Sequence, residues 1–342
     1  MTLTAALAIV GALILAAIIA HGAWSARKAG PKRAQAAAPV ERVEPGLGTL
    51  TRAPAELPNL GGVRGGSRRE VRLDTLIDVI TPIKIDAPIS AELALTHFPA
   101  SRLAGTKPFH IEGLCLSTGV WEPLQPGQRY SEFQAGVQMT NRSGVLNEIE
   151  YSEFVQKVQA FADAIGASAE HPDMLDAVAR ARELDSFAST HDAQLAITLR
   201  ANSVAWSVGY IQQCAARHGF VAGPVAGRLV LPAAEDGAPP VLSLVFDAKA
   251  ALAEDAQDAA VREATLWLDV PQSPESAEPF AVWQQVVRDL GDDMDAAPVD
   301  DKGAPVTLRA FEAIDRELRQ LYHALAERGL AAGSPCARRL FS

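Results

Sequence analysis

The chain has 342 residues, 48% of them hydrophobic and 21% charged, enough to bury a core and long enough for two domains. Its net charge of -10 is unevenly spread: residues 25–72 hold ten Lys/Arg and four Asp/Glu, a balance of +6, so the rest carries -16. An acidic body of that kind argues against general nucleic-acid binding, and three scattered cysteines (Cys115, Cys214 and Cys336) without CxxC spacing argue against a disulfide framework or a zinc site.

Leu3 to Trp24 contains no Asp, Glu, Lys or Arg. An apolar run of about 20 residues spans a hydrocarbon core as a helix, which satisfies its own backbone there. Trp24 stands where an interfacial anchor belongs, and Arg27, Lys28, Lys32 and Arg33 follow it. Positive charge after the run rather than before it favours an uncleaved anchor over a signal peptide. It also places the body in the cytoplasm and the N-terminus in the periplasm. Residues 26–72, rich in Ala, Pro, Gly and Arg, show no periodicity and are expected to be a disordered basic linker. Gly61-Gly62-Val63-Arg64-Gly65-Gly66 lacks the Lys-Ser/Thr ending of a phosphate loop.

From residue 73 the pattern is that of a folded body. Strands are expected at Ile77–Ile85, Phe109–Leu116 and Glu132–Met139, and helices at Ile89–Phe98, Tyr151–Ile165 and Met174–Phe187. A second series repeats the order more clearly. Leu195, Ile197 and Leu199 alternate as a strand, and Ala205–His218 reads as a helix closed by Gly219. Arg228–Leu231, Val241–Phe246 and Thr265–Val270 read as strands. Pro279 opens a helix over Phe280–Met294, a short extended piece covers Ala297–Val299, and Thr307 caps a last helix striped by Leu308, Phe311, Ile314, Leu318 and Leu321. Consecutive strands without intervening helices imply an α+β fold, antiparallel sheet with helices on one face, in two related copies at 73–190 and 191–328. Residues 329–342 are expected to be a flexible tail.

Alternation assigns faces in the second copy. Leu266, Leu268 and Val270 form one set, and Leu242, Leu244 and Phe246 match it; both should meet the helices. Trp267, Thr265, Val245, Ser243, Ala196, Thr198 and Val230 then fall on the opposite, open face, with Asp247 beside them. An open sheet face carrying apolar side chains is a binding surface.

Enzymatic signatures are missing. The seven histidines show no HExxH spacing, and no G-x-S-x-G, catalytic Cys-His or dinucleotide fingerprint occurs. Asp292, Asp293, Asp295, Asp300 and Asp301 cluster without the spacing of a calcium loop. A non-enzymatic protein without cofactor or metal is therefore expected.

Pro240-Val-Leu-Ser-Leu-Val245, Thr265-Leu-Trp-Leu-Asp-Val-Pro271, the helix Phe280–Met294, Ala297-Pro-Val-Asp-Asp301 and the helix from Thr307 to Leu318 together resemble the FtsZ-binding domain of the ZipA family of bacterial cell-division proteins. The resemblance covers residues 190–328, and the order of anchor, linker and cytoplasmic domain is similar to that family's. It implies a ZipA-like fold, an inner-membrane location, and a partner, the C-terminal tail peptide of the tubulin-like protein FtsZ, lying on the open face around Trp267. Residues 73–190 stand where the family has linker, and are expected to be a degenerate copy of the same domain. Two other readings remain open: a membrane-anchored receptor for another ligand, and a scaffold that self-associates through its sheet faces.

Overall fold

The computed structural model describes residues 72–253, 259–306 and 308–342. The expected anchor at 1–25, almost all of the linker and the capping Thr307 lie outside the described residues. No described helix is long and apolar enough to cross a membrane. The described chain is α+β with antiparallel sheets, and it divides into two compact units.

Unit A holds the residues up to Gln194, together with Asp269–Pro279 and Glu312–Ser342. Its elements are β1 (Asp78–Ser90), α1 (Ala91–Thr96), β2 (Leu103–Ala104), β3 (Lys107–Cys115), β4 (Trp121–Pro123), β5 (Arg129–Gln138), the small hairpin β6 (Thr140–Asn141) and β7 (Gly144–Val145), α2 (Glu148–Ala164), β8 (Ser168–Ala169) and α3 (Met174–His191). The sheet runs β2-β3-β5-β1-β8, with β4 on β3. Val79, Ile83, Phe109, Ile111, Phe133 and Val137 alternate onto its inner face and are buried. Phe154 and Phe161 of α2 meet them edge-on, Phe109–Phe154 at 5.8 Å and Phe133–Phe161 at 5.9 Å between ring centres. Asn147 and Glu150 close a reciprocal capping box that fixes where α2 starts.

Two expectations in this region need correcting. The first strand does not end at Ile85: pairing with β5 resumes at Ile89–Tyr130 and Ser90–Arg129 after an irregularity, and α1 starts only at Ala91, capped by Ser90. The Arg129 guanidinium donates to the Pro88 carbonyl at 2.7 Å, which holds this stretch against β5.

The tail is the larger correction. Residues 329–342 are ordered: they include a helix at Pro335–Leu340, capped by Ser334, and Ala337, Leu340 and Phe341 are buried in the core of unit A. Burying side chains such as Leu340 and Phe341 contributes roughly 1.5–3 kcal/mol each, of the same order as the conformational entropy lost in ordering each residue. The long helix before them, at Leu308–Glu327, brings Leu321 and Leu325 to the same core. The expected boundary at 328/329 therefore fails, because residues 312–328 also pack with unit A.

Unit B holds Leu195–Leu268 and Phe280–Phe311 among the described residues. It contains β9 (Gln194–Ala201), α4 (Val208–Arg217), β10 (Val221–Ala222), β11 (Arg228–Leu231), β12 (Leu242–Phe246), α5 (Ala248–Ala251), β13 (Glu263–Asp269), α6 (Pro279–Met294) and β14 (Ala296–Val299); α7 (Leu308–Glu327) begins here, and α8 (Pro335–Leu340) follows in unit A. Strand order is β10-β11-β12-β13-β9-β14. Ile211 and Cys214 of α4, and Trp283, Val287 and Leu290 of α6, are buried with Leu242, Leu244, Leu266 and Leu268. The Trp283 indole donates to the Leu266 carbonyl at 3.3 Å, and the Trp206 indole to that of Met294 at 2.8 Å. Gly219 has φ +83°, the left-handed turn expected after α4.

The two sheets share a path. In each, the first strand pairs with a later strand on one side and a short late strand on the other, β1 with β5 and β8, β9 with β13 and β14. A hairpin, β2-β3 or β11-β12, lies towards each far side, with β10 beyond β11 in unit B.

Candidate peptide-binding face

Three strands of unit B show strict alternation of burial. Along β13, Ala264, Leu266 and Leu268 are buried while Glu263 and Trp267 are exposed and Thr265 is half-buried. Along β12, Leu242, Leu244 and Phe246 are buried while Ser243 and Val245 are half-buried. Along β9, Ile197 and Leu199 are buried, Ala196 and Arg200 exposed and Thr198 half-buried. The buried set of these strands lies with the buried residues of α4 and α6, and the opposite set is half-buried or exposed.

Register arranges the open face in rows across the strands. Val221 pairs with Val230, Val230 with Ser243, and Ser243 with Trp267. Ala201 donates to Arg262 across β9 and β13, the antiparallel register that sets Ala196 opposite Trp267 and Thr198 opposite Thr265. The first row is thus Val221, Val230, Ser243, Trp267 and Ala196. At about 4.8 Å between strands it extends roughly 19 Å, the reach of a short extended peptide. The second row is Arg228, Val245, Thr265 and Thr198. The Thr265 and Thr198 hydroxyls lie 3.1 Å apart and satisfy each other. Glu263 and Arg200 close the face on one side with an ion pair at 2.9 Å.

All seven residues expected on the open face, Trp267, Thr265, Val245, Ser243, Ala196, Thr198 and Val230, lie on this one surface. Trp267 is 39% exposed, unusual for an indole in the middle of a sheet. Two residues of the surface were not foreseen. Val221 is 50% exposed at the end of the apolar row, and Arg228 caps the second row. β10 is only two residues long, too short for alternation to reveal it.

The corresponding outer face of unit A differs in chemistry. Along β3 and β5 it carries His110, Glu112, Gln134 and Gln138, with Gly136 among them. Glu112 is 2% exposed and accepts from the Gln134 amide at 2.8 Å. Burial, then the nearby Arg339 and Arg102, push the His110 imidazole down to about 4, so it stays neutral at physiological pH. Lys107 is fully buried with its ammonium 3.1 Å from the Asn141 carbonyl oxygen, and burial lowers its pKa against the pull of Glu150 and Asp185.

Among the described residues no group of three or more His, Cys, Asp and Glu is placed to hold a metal ion. The acidic cluster is taken up locally. Asp293 meets His218 at 2.9 Å and Arg217 at 3.2 Å, Asp295 accepts from Ser203 at 2.8 Å, and Asp300 accepts from the Lys302 and Ala304 amides of its turn. A cleft of about 220 Å³ beside Thr140, Asp185 and Asp192 in unit A is smaller than the usual small-molecule site.

No protein-family model matches the chain. No curated protein is similar to it by sequence.

Proposed function

We propose that the protein is a non-enzymatic inner-membrane tether of the bacterial division apparatus. Its N-terminal segment anchors it, the basic linker gives reach, and the open face of unit B captures the C-terminal tail peptide of FtsZ. The observation that carries this reading is the part-exposed, mostly apolar row through Trp267, on strands whose alternate side chains are buried. A few aromatic and aliphatic anchors on such a face suffice to hold a short peptide. The resemblance of the sequence over residues 190–328 to the FtsZ-binding domain of the ZipA family supports the choice of partner. The shared strand path of the two sheets supports a duplication, with unit A as the copy that lost the apolar face. Modest affinity for one peptide becomes firm attachment when many tethers meet one polymer.

The test is a titration of the full-length protein in lipid nanodiscs with the FtsZ tail peptide of the same organism, followed by isothermal titration calorimetry. Saturable micromolar binding that disappears in Trp267→Ala is the expected result. No binding by a folded protein would show that another partner uses the face, and a concentration-dependent dimer lost in Trp267→Ala would favour self-association.

A further inference from the structure

The outer face of unit A is not bare. Three residues that precede β1, Arg72, Leu73 and Asp74, lie on it, and they are held by side chains rather than by a strand edge. The Glu112 carboxylate accepts from the Leu73 amide at 2.8 Å. The Asp78 carboxylate accepts from the Asp74 amide at 2.9 Å. The Arg339 guanidinium donates to the Arg72 carbonyl at 3.0 Å while also pairing with Asp78. Glu112 and Asp78 are buried. The Leu73 side chain rests on Gly136, where a Cβ would stand 2.5 Å from Leu73 Cδ2, so a side chain at 136 would make Leu73 shift.

We propose that the outer face of unit A is a built docking site for a short peptide segment with an aliphatic middle residue, and that its occupant is the chain's own Arg72–Asp74. Two backbone donors and one backbone acceptor of the segment are each met by a charged side chain, and the middle side chain has a glycine floor. Such groups read a peptide backbone in the way a peptide site does, with the aliphatic residue as anchor. The linker consequently leaves the folded body at a fixed point. Among the described residues the outer face of unit A is thereby occupied by its own chain. This inference is independent of what unit B binds.

Limited trypsin digestion of the full-length protein tests it, because the Arg72–Leu73 bond is itself a tryptic site. Cleavage after Arg64, Arg68 and Arg69 supplies the internal comparison. The docked bond should be cut more slowly than these by roughly tenfold or more, since cleavage follows the undocked population. Gly136→Ala, which displaces Leu73, and separately Leu73→Ala, which leaves the sheet untouched, should each bring the bond to the rate of its upstream neighbours without speeding cleavage inside units A and B. The proposal is overturned if the Arg72–Leu73 bond of the unmodified protein is cut as fast as Arg69–Glu70, or if neither variant accelerates it.

Discussion

Arg339→Ala isolates the ion pair that joins the start of β1 to α8. The Asp78 side chain is 0% exposed and that of Arg339 14%, and the guanidinium makes two bonds to the carboxylate, one of them at 2.8 Å. Removing it leaves a carboxylate buried with the Asp74 amide. Breaking a buried pair from one side costs about 3–5 kcal/mol. For a unit of this size each kcal/mol lowers Tm by roughly 2–4 °C, so a fall of about 6–20 °C is expected. The pH dependence has a definite sign. Burial already raises the Asp78 pKa above 3.8, and it outweighs the lowering by Arg339. Without Arg339 the folded-state value moves further up. A carboxyl whose folded pKa exceeds its unfolded one contributes stability at low pH that is lost as pH rises through that window. The deficit of the variant relative to the unmodified protein should therefore be larger at neutral than at acidic pH. His110, which Arg339 also depresses, pushes in the same direction. Urea denaturation followed by near-UV circular dichroism at both pH values measures this. The double variant Asp78→Asn/Arg339→Met, which replaces the pair by neutral groups, should recover most of the loss. A deficit below about 1 kcal/mol at neutral pH, or one that grows on acidification, would refute the account of a desolvated pair.

In Trp267→Ala the FtsZ tail should bind at least about 30-fold more weakly while unfolding free energy changes by less than about 1.5 kcal/mol, as for a part-exposed binding anchor; calorimetry and urea titration read the two. The same calorimetry on the unmodified protein should give one peptide per chain, and a ratio of two would contradict the occupation of unit A's outer face by its own chain. His110, with its folded pKa lowered from 6.5 to about 4, contributes stability that is present above pH 6.5 and lost as pH falls towards 4. His110→Gln should flatten the stability profile across that window by up to about 3 kcal/mol, and an imidazole NMR titration near 6.5 would disprove the shift. Gly227 has φ +76°, and a Cβ there would stand 2.6 Å from the Phe246 carbonyl oxygen. Gly227→Ala should destabilise unit B by about 1–3 kcal/mol, seen as a lower thermal midpoint, with unit A unaffected.

Strands with strict two-residue alternation could be read from the sequence. β12 and β13 fall where Leu242, Leu244, Leu266 and Leu268 place them, and the open face follows from the same alternation. The helix α6 starts at Pro279, where the proline and its apolar stripe put it. Two-residue strands such as β2 and β10 carry no period, and Val221 on β10 was therefore not legible in the sequence. The docking of Leu73 was equally invisible, because Gly136 looks like any other glycine in a strand until its cross-strand neighbours are known. Residues 329–342 misled for a related reason. Their Gly, Pro and Arg suggest a solvated tail, and only the three-dimensional neighbourhood of Leu340 and Phe341 shows what they cover.

The ion pair between Asp78 and Arg339 bridges 261 residues, and α8 seals a core whose strands come from residues 78–169. That has a consequence for biosynthesis. When β8 and α3 have left the ribosome, unit A still lacks Leu325, Leu330, Leu340 and Phe341, and these arrive only after all of unit B has been made. At 5–20 residues per second the wait is on the order of ten seconds. Through that interval the side chains that complete the core of unit A, and the guanidinium that pairs with Asp78, have yet to be made, so the earlier-encoded sheet is completed only after the later one has been synthesised.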